Sequence, residues 1–203
     1  MAIVNGYSTA AAFKVLIGGT ETAHDADIER AVEAASRSVD RYTRRRFFQD
    51  ASVVTRVYTT DDPRWLWTND ISTSTGLVVK TDDNWDGTYE NTWTLDDYTG
   101  SYGYALEPPN ASDDSKPWTS LAPLSGSFPT LRYAVQVTAK FGWAAVPLEV
   151  AQATLLLAHR IYRRKESPFG LAQAPEMGEA VFIRKHDPDV ALLLENFIKV
   201  VGP

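Results

Sequence analysis

The sequence predicts an α+β fold: a mainly helical bundle of about four helices, with a β-rich insertion between the second and the third. Two observations carry this expectation. Apolar residues recur at helical spacing before residue 45 and again after Pro147, whereas β-branched and aromatic runs dominate between Asp50 and Lys140. Turn signals then punctuate that middle stretch, at Asp61-Asp62-Pro63, Asp86-Gly87, Thr99-Gly100 and Pro108-Pro109-Asn110. The expected organisation is a helical core from residues 1–49 and 141–203, carrying an acidic β-rich insertion over 50–140.

In the first element Ser8 or Thr9 can cap a short helix of good formers, Ala10–Leu16, which Gly18-Gly19 stops. The second runs from about Asp25 to Thr43, where Ile28, Ala31, Val32, Ala35, Val39 and Tyr42 make one apolar stripe. Acidic residues sit at its positive end, and Arg41, Arg44, Arg45 and Arg46 crowd its negative end. Strands are predicted at Val53–Thr59, Leu77–Thr81, Thr92–Leu95, Tyr104–Leu106 and Leu131–Lys140. The Ser-, Pro- and Asp-rich stretch Asn110–Pro129 reads as a long loop.

Pro147 stands where a helix begins, and the run after it is apolar on nearly every side: Leu148, Val150, Leu155, Leu156, Leu157, Ile161. Such a helix wants neighbours all round, and in a chain this small some of them can belong to another subunit. Glu166–Gly178, with two prolines and two glycines, reads as a flexible or docking loop. A last helix, capped by Asp187-Pro188, is expected to reach about Val200.

Composition narrows the function classes. The 203 residues can bury a core without staples, and the absence of cysteine excludes a disulfide framework, a thiolate nucleophile and a Cys-built zinc site. No apolar run approaches the roughly 20 residues that span a bilayer, so no membrane span is expected. The opening MAIVNGYSTAAAFKVLIGG lacks the basic region and apolar core of a secretory signal, which predicts synthesis in the cytoplasm. Net charge is −6, yet it is unevenly placed. Residues 82–114 carry nine acidic side chains and no Lys or Arg, so the remainder is net basic.

Few motifs suggest chemistry. Asp82-x-Asn84-x-Asp86-Gly87 matches the first half of an EF-hand loop, but the twelfth position, a bidentate Glu in such loops, is Trp93. A hairpin whose Asp-Gly turn takes positive φ explains the same residues, and no metal is expected. Trp65, Trp67, Trp85, Trp93, Tyr89, Tyr98, Tyr102 and Tyr104 gather in the β region; a nucleic-acid platform would need interleaved basic residues, and this segment is acidic, which favours core and interface packing over base stacking. Arg44-Arg45-Arg46 and Arg160, Arg163, Arg164, Lys165 could contact phosphate, although cations at helix C-termini offset the dipole in any case. His24, His159 and His186 stand in no metal or catalytic spacing, and no nucleophile elbow, P-loop or dinucleotide fingerprint occurs. No catalytic residue and no cofactor is therefore expected.

The last third carries a resemblance. Val135-x-Val-Thr-Ala-Lys-Phe-Gly-Trp143 is followed by Val146-Pro147, an Ala/Leu-rich helix ending Arg160-Ile-Tyr-Arg-Arg, then Ser167-Pro-Phe-Gly170 and Asp187-Pro-Asp-Val190. This succession, with the early helix ending Val39-Asp-Arg-Tyr-Thr-Arg-Arg-Arg-Phe47, resembles the head–tail connector (adaptor) proteins of long-tailed bacteriophages, the gp6-like family. The long acidic insertion departs from the nearly all-helical short members.

The resemblance implies a virion protein that forms a ring, expected to be dodecameric, under the portal. It would extend the DNA channel and dock the stopper or tail-completion protein, while DNA passes without sequence-specific binding. On this reading Ser167, Pro168, Phe169, Asp187, Val190, Leu193, Leu194 and Phe197 are portal-docking candidates. Leu148, Leu155, Leu156, His159, Tyr162 and Arg163 are subunit-interface candidates. Asp82, Asp83, Asp86, Glu90, Asp96 and Asp97 could face the lumen, where negative charge would repel phosphate. The alternative is a carbohydrate- or ligand-binding β module with helical flanks, built on the Trp/Tyr-rich insertion. An enzyme such as a polysaccharide hydrolase would need a carboxylate pair across a cleft.

Overall fold

Thr9 and Gly18 bracket the first helix, α1 (Ala10–Ile17), as local capping chemistry dictates. The Thr9 hydroxyl accepts the Ala12 amide at 3.1 Å, and Gly18 takes the left-handed conformation, φ 66°. The computed structural model describes residues 3–19, 24–164, 171–172, 181–182 and 188–199. The chain divides into two compact units, one of Met1–Arg45 with Val146–Val200, the other built on Arg46–Ala145.

The first unit is helical. α2 (Asp25–Thr43) buries the predicted stripe of Ile28, Ala31, Val32, Ala35 and Val39, while Tyr42 stays half-buried. α3 (Leu148–Arg163) packs along it, with Pro147 at the N-cap position, and α4 (Pro188–Leu194) packs on α3. Phe13 of α1 is the plug of this core. It is fully buried among Ile28, Val32, Ala35 and Ala158, with the Tyr162 ring edge-on at 5.5 Å. The Tyr7 hydroxyl donates to Asp40 and the Tyr7 amide to the Ser36 hydroxyl, which fastens the N-terminal segment to α2. α4 stops at Leu194 and passes into one 3-10 turn, Glu195–Phe197, short of the expected Val200. Past that turn the Lys199 amide donates to the Thr43 carbonyl at 2.8 Å, so the chain leaves the helix to satisfy an orphan group at the end of α2.

The second unit is a six-stranded sheet inserted between α2 and α3: β1 (Val54–Tyr58), β2 (Leu66–Thr81), β3 (Asn91–Leu95), β4 (Gly103–Glu107), β5 (Trp118–Ser125) and β6 (Val135–Phe141). The strand order is β1-β6-β2-β3-β4-β5, and β2 also pairs with β5. The long β2 makes this closure possible. Leu66 and Trp67 pair with Leu121 and Ser120 of β5, whereas Val79, Lys80 and Thr81 pair with Trp93, Thr92 and Asn91 of β3. Between them the register against β6 slips twice, and Gly76 takes φ 77°, the bend that such irregularities produce. Leu66, Ile71, Val79, Trp93, Tyr104, Leu121 and Phe128 fill the resulting core.

Three expectations change here. Asn110–Pro129 is not all loop, because β5 lies inside it. Its Pro123 is tolerated beyond the last residue that pairs with β2, where it pairs with Tyr104 of β4 and, among the described residues, with no other strand. β2 starts eleven residues before the predicted Leu77. β6 starts at Val135, not Leu131, because Tyr133 is exposed with φ 59°. Beyond α3, Leu171–Ala172 pairs antiparallel with Val181–Phe182 as β7 and β8.

Candidate assembly surfaces

The acidic residues sit on two loops of the sheet unit. In the β2–β3 connection, residues 82–90, Asp82 is buried and its carboxylate accepts the Asp86 amide at 3.2 Å and the Gly87 amide at 2.8 Å. Gly87 takes φ 87°, as the Asp-Gly turn requires. Asp83 accepts from the Asn91 side chain at 2.7 Å and from the Tyr102 hydroxyl at 3.3 Å. Asp86 accepts the Thr88 amide at 2.8 Å, and that bond holds its carboxyl below the usual range. Asp82, Asp86 and Glu90 bring one oxygen each within 4.8 Å of one another. The flanks are antiparallel strands, and Trp93, at the twelfth position of the EF-hand pattern, lies in the core with its indole donating to the Thr81 hydroxyl at 3.0 Å.

The second acidic loop, residues 96–102, joins β3 to β4. These strands are parallel, and so short a connection replaces the crossover of about a dozen residues that parallel strands ordinarily need. Asp97 organises it, accepting the Thr99 amide, the Thr99 hydroxyl and the Gly100 amide at 2.9, 3.0 and 2.9 Å. Those amides hold the Asp97 carboxyl low. Asp96 takes φ 58° and is exposed. Two aromatic side chains stand out of the same loops, Trp85 at 65% exposure and Tyr98 at 71%. Trp93 and Tyr104, by contrast, are core residues.

On α3, Leu148 is 81% exposed and Arg163 is exposed, while Leu155, Leu156, His159 and Tyr162 are half-buried. His159 and Tyr162 turn their rings toward Phe13 of their own chain. On α4, Val190 and Leu194 are buried and Leu193 half-buried, and Phe197 of the 3-10 turn after it is half-buried too. Leu192, not among the docking candidates, is 67% exposed. Ser167, Pro168, Phe169 and Asp187 lie outside the described residues.

The helical unit also holds a feature that the sequence reading did not assemble. An open groove of about 710 Å³ runs between α2, α3 and α4, floored by Leu157, Ile161, Val190 and Leu194. Arg41 and Arg44 from the end of α2, with Arg160 and Arg164 from the end of α3, line it, and among the described residues no carboxylate does. Two helix C-termini supply roughly one unit of negative partial charge between them, too little to offset four guanidinium groups. The signal was the pair of arginine clusters, but only the packing of α2 on α3 brings them to one place.

No protein-family model matches the chain, and no curated protein matches it. Five solved chains match its fold, among them two from GTA particles. One is a chain from the neck of an empty GTA particle computed with C6 symmetry, 20% identical, covering 100% of this chain and 96% of that one, with a TM-score of 0.55. The other is from the virion of a native gene transfer agent (GTA) particle, also 20% identical over 100% and 96%, with a TM-score of 0.52. At this identity the likeness is one of fold.

Proposed function

We propose that the chain is a structural virion protein, a head-to-tail connector that assembles as a ring under a portal, extends the DNA channel and docks a stopper or tail-completion protein. The observation that carries this reading is the fold shared, over the whole chain, with a component of a GTA particle neck. The order of elements supports it as well: the α2 and α3 that frame the insertion are the segments whose sequence resembles bacteriophage connectors. Copies related by rotation meet through two different patches, and such heterologous contacts close into rings. A dodecameric ring contains the sixfold symmetry with which that neck was computed.

On this reading the protein acts by assembly, not by catalysis, and takes no cofactor. Its place is the head–tail interface of a particle made in the cytoplasm. Among the described residues no helix is long and apolar enough to cross a membrane.

The test is cryo-EM of the chain mixed with portal-bearing, DNA-filled heads from its source. A ring of density beneath the portal is the expected result. A well-folded chain that leaves the portal bare would end the connector reading and turn attention to Trp85 and Tyr98 as a glycan-binding surface.

A further inference from the structure

We propose that the arginine-lined groove of one copy receives the acidic loops of a second copy of this chain, residues 82–98, as the head-to-tail contact between subunits. The inference rests on the ring reading and names the surfaces that would close it.

The two surfaces match in charge and in polarity. The groove offers guanidinium groups around an apolar floor. Among the described residues, Arg41, Arg44 and Arg164 form no ion pair, so their charge is available to an incoming group. The loops offer the exposed carboxylates of Asp83, Asp86, Glu90 and Asp96, together with Trp85 and Tyr98 standing in solvent. Carboxylates satisfy the arginines, and the aromatic rings suit both the floor and the guanidinium faces.

A nucleic acid fits the groove less well. Its phosphates would meet the arginines, but a sugar–phosphate strand has nothing apolar to lay on Leu157, Ile161, Val190 and Leu194. A channel wall is likewise a poorer use of the loops. Repulsion of DNA needs their charge, but it gives nothing to pack on the exposed rings of Tyr98 and of Trp85, whose indole nitrogen donates to the Arg132 carbonyl at 3.1 Å. Groove and loops are different patches on different units of the chain, so the contact is heterologous and repeats around a ring. The groove lining is smaller than a standard interface of roughly 20–30 residues a side, which makes it the anchor of a wider contact.

The test uses two charge-reversed full-length chains. One carries Arg41→Glu with Arg164→Glu in the groove, and the other carries Asp86→Arg with Glu90→Arg in the loop. In sedimentation velocity at low salt the wild-type chain is expected to self-associate, and salt should weaken the association. Each variant alone should associate more weakly, by on the order of tenfold per reversed charge. Mixed in equal amounts, the two variants should associate again, because the acidic groove of one then faces the basic loop of the other. Recovery in the mixture requires both variants to be folded, so failure to fold cannot imitate the expected result. Variants that associate as the wild type does overturn the proposal, as does a 1:1 mixture of folded variants that stays dissociated. A wild-type chain that is monomeric at every concentration also overturns it. If such a chain still forms a ring under the portal, the connector reading stands and only this contact falls.

Discussion

The Trp143 indole nitrogen donates to the Asp70 carboxylate at 3.1 Å, and both residues are only 6% exposed. The neighbouring Gly142 amide donates to the Asp70 carbonyl at 2.8 Å, so the Gly-Trp pair binds one residue of β2 through main chain and side chain together. The indole also meets the buried Phe47 ring, tilted at 47° with a centroid distance of 5.2 Å. A dipeptide that carried the resemblance in sequence is thus a structural clamp within the sheet unit. Trp143→Phe keeps an aromatic ring but withdraws a hydrogen bond from a buried carboxylate. It should destabilise the protein by about 1–3 kcal/mol, read from denaturant unfolding.

Two glycines should resist substitution for separate reasons. At Gly142, φ is 106°, and a Cβ would overlap the Phe48 carbonyl oxygen. At Gly103 a Cβ would overlap the Asp97 carbonyl oxygen, because the tight β3–β4 connection passes directly over it. Either glycine changed to alanine should lower stability by at least about 1–3 kcal/mol, since the obstructing atom is backbone in each case. Gly87→Ala meets no atom and strains only φ, so it should cost less. Thermal unfolding of the three variants side by side gives the ranking.

The helical unit depends on one side chain from a short helix. Phe13 is completely buried, and the eight residues of α1 would be marginal alone. Phe13→Ala should cost about 3–5 kcal/mol. Measured by hydrogen exchange, the loss should appear in α1, α2 and α3, whose side chains form that core.

Acid should loosen the acidic loops with a definite sign. Asp86 and Asp97 have folded pKa values lowered from 3.8, chiefly by backbone amides. A carboxylate held low when folded contributes stability above its unfolded value, and the contribution is lost as pH falls through about 3.8 toward the folded value. Asp97→Ala should therefore flatten the acid limb of the stability profile while removing stability at neutral pH. A variant whose stability falls with acid as steeply as the wild type would show that Asp97 contributes nothing to it.

What was legible in the sequence is what short-range chemistry decides. Ser8-Thr9 and Gly18-Gly19 announce α1, with Thr9 the residue that caps it, and the stripe from Ile28 to Tyr42 places α2. β5 was not legible, because Leu121 and Ser120 are buried by partners on β2 and β4 that the sequence does not announce, while the Ser, Pro and Asp of residues 110–129 read as loop. The parallel β3–β4 pair was hidden for a similar reason: Asp97 makes its connection possible through bonds to Thr99 and Gly100 that resemble an ordinary turn. The arginine groove needed tertiary structure altogether. Arg41 and Arg160 each look like a helix-end cation until α2 and α3 lie together.

Docking and folding can be separated on α3 and α4. Removing residues 187–203 would test portal docking poorly, because Val190 and Leu194 are buried in the helical unit and their loss would damage its core. Substituting either with alanine should cost about 1–5 kcal/mol. Leu192 and Leu148 are exposed, so Leu192→Asp and Leu148→Asp should change stability by no more than about 0.5 kcal/mol. If these side chains belong to contact surfaces, portal binding or ring closure should fall sharply in the same variants while their unfolding curves overlay the wild type. Binding that survives both changes would move the contacts to other faces of the helical unit.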